Sequence, residues 1–172
     1  VVEGLILHPD NEHLIFPLGS TIIVRHIISR TQTFLKGHDN EVTTIACSRS
    51  GKYIASGQKT FQGLKADIII WNFADRSLLQ RLSMHKVCIN SLAFSPSDKY
   101  LASVGGVDDK NTLIIWDIEQ SKQWSYKRRK TQLRQLFGQQ GSFNVKVFQQ
   151  GRLEALLSHL NLCPDLDNRH KR

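Results

Sequence analysis

The chain has 172 residues, 40% hydrophobic and 22% charged, with three cysteines and a formal net charge of +8. That length accommodates one ordinary domain with a sizeable core. It holds neither an apolar run of about eighteen residues nor a charged-then-apolar leader, so neither a membrane span nor a secretory signal is expected.

The charge is unevenly placed. Residues 1–119 carry 12 Lys plus Arg against 12 Asp plus Glu, whereas residues 120–172 carry 11 against 3. A neutral body followed by a basic tail points to two parts with different jobs. Cys47, Cys88 and Cys163 are odd in number, far apart, and without Cys-x-x-Cys or zinc-like His spacing, so free thiols in a reducing compartment are expected.

From the N-terminus, residues 4–7, 14–17, 20–27 and 32–35 read as four short strands separated by turn residues such as Pro9-Asp10-Asn11. Pro17 marks an edge or a strand end, because proline cannot donate to a sheet ladder. After Gly37-His38 come strands at 42–47, 53–57, 67–73 and 78–82, and a third set follows from Met84-His85 to about Glu119. The sets repeat in register. Leu113-Ile114-Ile115-Trp116-Asp117 matches Ile68-Ile69-Ile70-Trp71-Asn72 at a spacing of 45, and Ile22-Ile23-Val24-Arg25-His26 is a weaker echo 46 residues earlier. His38 and His85 are 47 apart, as are Ser48 and Ser95. A period of about 40 to 47 residues, built as Gly-His, strand, turn, strand, Trp-Asp, is the signature of a WD-repeat propeller blade. The first copy is degenerate, with Arg25-His26 where the others have Trp-Asn and Trp-Asp. The expected fold is therefore all-β, a partial WD-repeat β-propeller of about three blades over residues 3–119, joined to a C-terminal tail that does not match. Three blades are few for a closed ring, and the start at Val1 fits a fragment or an incomplete gene product.

Two loops depart from the tight turn usual between the second and third strands of a blade. They are Gln58-Lys59-Thr60-Phe61-Gln62-Gly63-Leu64-Lys65-Ala66 and Gly105-Gly106-Val107-Asp108-Asp109-Lys110-Asn111. Long loops on a rigid scaffold are where recognition is usually placed. Phe61, Gln62, Gly63 and Leu64, with Gly105, Gly106, Asp108 and Asp109, are the candidate partner-binding residues.

Gly4 to Asp10, Tyr53 to Gln58, the stretch FQGLKADIIIW from Phe61 to Trp71, and Leu101 to Asp109 resemble the amino-terminal blades of an axonemal branch of the WD-repeat family. The resemblance implies a non-enzymatic structural protein of motile cilia and flagella, in the cytoplasm and cytoskeleton, that binds doublet microtubules. It further implies tubulin or axonemal proteins as partners. The family pattern continues into more blades, but after Glu119 no further Gly-His to Trp-Asp repeat is found. Residues 120–172 are expected to be a partly disordered basic tail, with a short helix over 152–162 built on Leu153, Leu156, Leu157 and Leu160. Phe143, Val145 and Val147 alternate like a strand. Lys127-Arg128-Arg129-Lys130, beside Trp124 and Tyr126, supports the alternative of a nuclear or nucleic-acid-associated WD-repeat scaffold that uses the tail. A solvated charge run is the stronger reading, and nucleic acid is the less expected partner.

His38, Ser56 and Trp71, and again His85, Ser103 and Trp116, occupy places resembling the buried hydrogen-bond network of a WD blade. In the family an Asp six residues before the Trp completes that network. Here Lys65 and Lys110 stand at those places, with Asp67 and Asp109 out of register, so an incomplete network is expected. Ser and His recurring once per blade read as structure rather than as part of a catalytic triad, and no Gly-x-Ser-x-Gly elbow exists. Asp108 and Asp109 read as solvated turn residues. The seven histidines show no ligand-like spacing and no phosphate-binding loop is present, so no catalytic residue, metal, cofactor, membrane or small-molecule substrate is expected.

Overall fold

The computed structural model describes residues 4–110, 112–119 and 122–126, the last group by its backbone alone. The helix, strand and basic run expected between 127 and 162, together with Cys163, lie outside the described residues. Among the described residues there is no α-helix, and none is long and apolar enough to cross a membrane.

Among the described residues, twelve strands form three four-stranded antiparallel sheets, each in simple up-and-down order. The first contains β1 (Ile6–Leu7), β2 (His13–Leu18), β3 (Thr21–His26) and β4 (Gln32–Lys36). The second contains β5 (Val42–Cys47), β6 (Tyr53–Gln58), β7 (Lys65–Asn72) and β8 (Leu78–Lys86). The third contains β9 (Ile89–Phe94), β10 (Tyr100–Gly105), β11 (Leu113–Asp117) and β12 (Lys122–Tyr126). The outer strand of the third sheet therefore lies beyond the boundary read at Glu119, because its sequence KQWSY has no run of aliphatic residues and leads directly into the basic run 127–130. Pro17 sits in β2 opposite Ile22, but β1 reaches only Leu14 and Ile15 on the other side. The ladder on that side ends before the missing amide would be needed.

The near-continuous apolar runs of β7 and β11 follow from burial on both faces. Successive strand side chains point to opposite faces. Ile69 and Trp71 face the first sheet and pack with Ile15, Ile22, Val24, Leu35, Val42, Ile45 and Ile54. Ile68 and Ile70 face the third and pack with Ile89, Leu92, Phe94, Leu101, Ile114 and Trp116. Polar links cross the same seams. Thr43 Oγ1 donates to the Ile89 carbonyl at 2.6 Å, Asp98 accepts the Arg49 and Ser50 amides at 3.0 and 3.1 Å, and the Val42 amide donates to the Gly19 carbonyl at 2.8 Å. The β6–β7 and β10–β11 loops are thus carried on a laminate of sheets cross-linked at several levels.

Candidate functional site

In the second sheet, Trp71 and Ser56 lie on the buried inner strands and His38 on the loop leading into β5. Trp71 Nε1–H donates to Ser56 Oγ at 2.8 Å, and Ser56 Oγ lies 2.7 Å from His38 Nε2. His38 Nδ1 is 2.8 Å from Gln58 Oε1. An amide oxygen only accepts, so Nδ1 carries the proton and Nε2 accepts from the serine hydroxyl. The relay runs from indole to hydroxyl to imidazole to amide, and the neutral imidazole satisfies every link.

The third sheet repeats this relay with one change. Trp116 Nε1–H donates to Ser103 Oγ at 2.8 Å, Ser103 meets His85 Nε2 at 2.7 Å, and His85 Nδ1 meets Asp109 Oδ2 at 2.6 Å. The network expected to be incomplete is complete in both sheets. Gln58 substitutes for the aspartate in one. In the other, the 3-10 turn Val107–Asp109 swings Asp109 back over His85, which sequence register alone conceals. Asp109 is accordingly a buried-network acceptor and not a solvated turn residue. The first sheet lacks the relay, since Phe16 opposes Ile23 and Arg25 opposes Leu14 where Ser56 opposes Ile69 and Trp71 opposes Ile54.

Ser103, His85 and Asp109 have the connectivity of a serine, base and acid. Ser103 and His85 are nonetheless inaccessible to solvent, and the Ser103 oxygen is already engaged by the Trp116 indole. Burial holds both histidines below their ordinary pKa, only partly offset by Gln58 and Asp109 respectively. These are packing elements of a blade. The thiols are equally quiet: burial pushes Cys47 up to about 12, with Asp98 and Asp10 adding to the shift, and burial also raises Cys88.

The two long loops meet on one rim. The amide of Thr60 donates to the Val87 carbonyl at 2.5 Å, Lys59 bridges to Cys88, and the amide of Gly106 donates to the Cys88 carbonyl at 2.9 Å. Segment 87–88 is thus clamped between both loops. On that rim Phe61 is 73% exposed, Leu64 56% and Val107 80%. Gln62, Gly63 and Asp108 are exposed beside them, and Lys59 pairs with Glu41 below. Gly105 and Gly106 are buried, which removes them, with Asp109, from the candidate contact surface. Gly105 must be a glycine for a packing reason, because a Cβ there would lie 2.7 Å from His85 Nδ1. Val107 takes their place at the surface. It was missed because an isolated valine between glycine and aspartate carries no strand or loop signal.

Among the described residues, one group of potential metal ligands is gathered in space, His8, Asp10 and His13. Its spacing, His-x-Asp-x-x-His, is visible in the sequence but unlike the zinc-binding patterns weighed there.

The family model described as WD domain, G-beta repeat matches residues 29–72 and 76–117. The chain belongs to the WD-repeat family. In sequence it is similar to cilia- and flagella-associated protein 52 of Macaca fascicularis, with 58% identity over 118 residues. Identity to the protein of that name is 55% over 118 residues for Homo sapiens and 49% over 119 for Chlamydomonas reinhardtii. Each alignment covers 69% of this chain but only 19% to 20% of the relative, so the chain spans about a fifth of the length of these proteins. Two solved WD structures, "Structure of U3-55K" and "Crystal structure of RRP9 WD40 repeats", superpose with a TM-score of 0.63 at 21% and 22% identity. They cover 73% of this chain, with 39% and 38% of their own chains, and they show the fold alone.

Proposed function

We propose that this WD-repeat unit is a non-enzymatic scaffold of motile cilia and flagella, located in the axoneme, that docks on tubulin or a neighbouring axonemal protein. The observation that carries this reading is the rim shared by the two long loops. Phe61, Leu64 and Val107 stand exposed on a backbone pinned at 87–88, and a rigid, partly apolar surface loses little conformational entropy on binding. The similarity to cilia- and flagella-associated proteins supports the setting, and the loop stretch FQGLKADIIIW lies within the similar part. Residues 3–126 would act as the WD unit, with the outer strand of the third sheet included, and residues 127–172 as a separate basic extension.

The test is where the tagged chain accumulates in multiciliated cells. Enrichment along axonemes that resists detergent extraction is expected. Accumulation in nuclei, or complete loss on detergent extraction, would contradict the proposal and favour the tail-driven nuclear alternative.

A further inference from the structure

The turn joining β1 to β2 gathers His8, Asp10 and His13, each offering one ligand atom within 4.8 Å of the others. Asp10 Oδ1 already accepts the backbone amides of Glu12 at 2.8 Å and His13 at 3.2 Å. Those bonds aim the other oxygen at the two imidazoles. Asp10 Oδ2 lies 2.9 Å from His8 Nδ1 and 2.7 Å from His13 Nδ1.

His8 is oriented from the neighbouring sheet. His8 Nε2 is 2.8 Å from the carbonyl oxygen of Gly51, in the neighbouring sheet. A carbonyl only accepts, so Nε2 carries a proton, while Nδ1 lies 3.3 Å from the Asp10 backbone amide and 2.9 Å from Asp10 Oδ2. A cation shared by Asp10 Oδ2 and the two facing ring nitrogens would take the place of the protons that otherwise join them. Histidine that ligates through one nitrogen commonly donates the other N–H to a carbonyl or carboxylate, which fixes both tautomer and ring orientation. Gly51 supplies that carbonyl. The ring of Phe73 stacks on His8 at 3.6 Å and holds its plane, and a Cβ at Gly51 would sit 2.8 Å from the imidazole. His8 is therefore buried and immobilised, while Asp10 and His13 remain partly open to solvent and give an ion access.

We propose that His8, Asp10 and His13 form a binding site for a divalent transition cation, with zinc as the reference ligand, leaving at least one coordination position to water. Two imidazoles and one carboxylate suit zinc, whose bonds of about 2.0–2.1 Å place tetrahedral ligand atoms roughly 3.3 Å apart. The Asp10 Oδ2 distances of 2.9 and 2.7 Å would lengthen to reach this, by movement of Asp10 and His13, which are partly open to solvent. Because Gly51 and Phe73 hold His8 from the second sheet, the ion would brace the first sheet against the second. That seam also holds Trp71, the indole of the second sheet's relay, packed against the first sheet.

The test is zinc titration of the full chain by calorimetry, with cobalt absorption as a second readout of the ligand field. Binding of one zinc per chain is expected, together with a rise in thermal midpoint. Asp10→Asn and His13→Gln should each weaken affinity at least about tenfold while melting like the wild type in chelator. His26→Gln, altered just beside the cluster, should bind as the wild type does. A wild-type chain that binds no zinc would overturn the proposal and leave a protonated His-Asp-His cluster in its place. Zinc binding that survives the combined Asp10→Asn and His13→Gln change would overturn it equally, by placing the ion elsewhere.

Discussion

Gln58 Oε1 accepts the Nδ1 proton of His38 at 2.8 Å, and this glutamine does for the second sheet what Asp109 does for the third. Different residues, from a strand end and from a 3-10 turn, close the same relay. The acceptor is what each blade requires, and its position in the sequence is free to vary so long as the oxygen reaches the ring.

Asp109→Ala should therefore lower stability by about 1–3 kcal/mol, the cost of leaving a buried donor unpaired. Asp109→Asn should cost less, since an amide oxygen already serves this role at Gln58. Urea denaturation of the two variants beside the wild type measures the difference. Equal midpoints for all three chains would show that the His85 proton finds another acceptor.

The relay also sets a pH dependence. His38 and His85 are held by burial below their ordinary value of 6.5, so the folded state resists a proton that the unfolded chain takes up. A depressed folded pKa leaves stability intact above about 6.5 and erodes it as pH falls from there through the lowered folded values. The denaturation midpoint should be flat from pH 8 to 7 and decline below about 6.5. A double variant, His38→Gln with His85→Gln, should have a lower plateau and a shallower decline. An undiminished decline in that variant would assign the acid sensitivity to other groups.

Close backbone approach gives a third expectation. A Cβ at Gly57 would sit 2.8 Å from Ile89 Cγ2 across the seam between the second and third sheets. Gly57→Ala should overpack that seam and cost about 1–3 kcal/mol. Ile89→Val in the same chain trims the opposing side chain, and it should recover part of the loss. A neutral Gly57→Ala in thermal melts would mean that the two sheets slide apart freely.

Much of this was legible in the sequence, for physical reasons. Trp71 and Trp116 are both 2% exposed, as expected of residues repeated at the end of apolar strands buried on both faces. Strand order followed from the period, because each repeat is an up-and-down unit of consecutive strands. The sequence was silent where partners are joined by tertiary geometry. The pairing of His38 with Gln58 spans 20 residues, and that of His85 with Asp109 spans 24 and depends on a turn. Fixed register pointed to Lys65 and Lys110 instead. The β12 strand was hidden for a different reason: Lys122-Gln123-Trp124-Ser125-Tyr126 follows the last recognisable repeat and adjoins the basic run 127–130, so it is read as tail, although it pairs residue for residue with β11. Within the loop 105–111, exposure could not be apportioned from composition, so buried Gly105 and exposed Val107 exchanged their expected roles.

Phe61→Ala and Leu64→Ala should leave folding almost untouched, within about 0.5 kcal/mol, since both side chains project from the rim into solvent. Any loss of binding in these variants would then report on the surface itself. A matching thermal midpoint is the check, and a large drop would reassign the loop to the core.

The central claim is that the loop rim, and not the basic extension, carries attachment to the axoneme. Cosedimentation of the full chain with demembranated doublet microtubules, at low and physiological salt and with duplex DNA as competitor, tests it most directly. Attraction between exposed charges is screened beyond about 8 Å at physiological ionic strength, so tail-driven binding should fade there. The account expects saturable binding that persists at physiological salt, resists DNA, and falls at least about tenfold in the combined Phe61→Ala and Leu64→Ala variant. Binding that disappears with salt or DNA, or is unchanged in that variant, would contradict it.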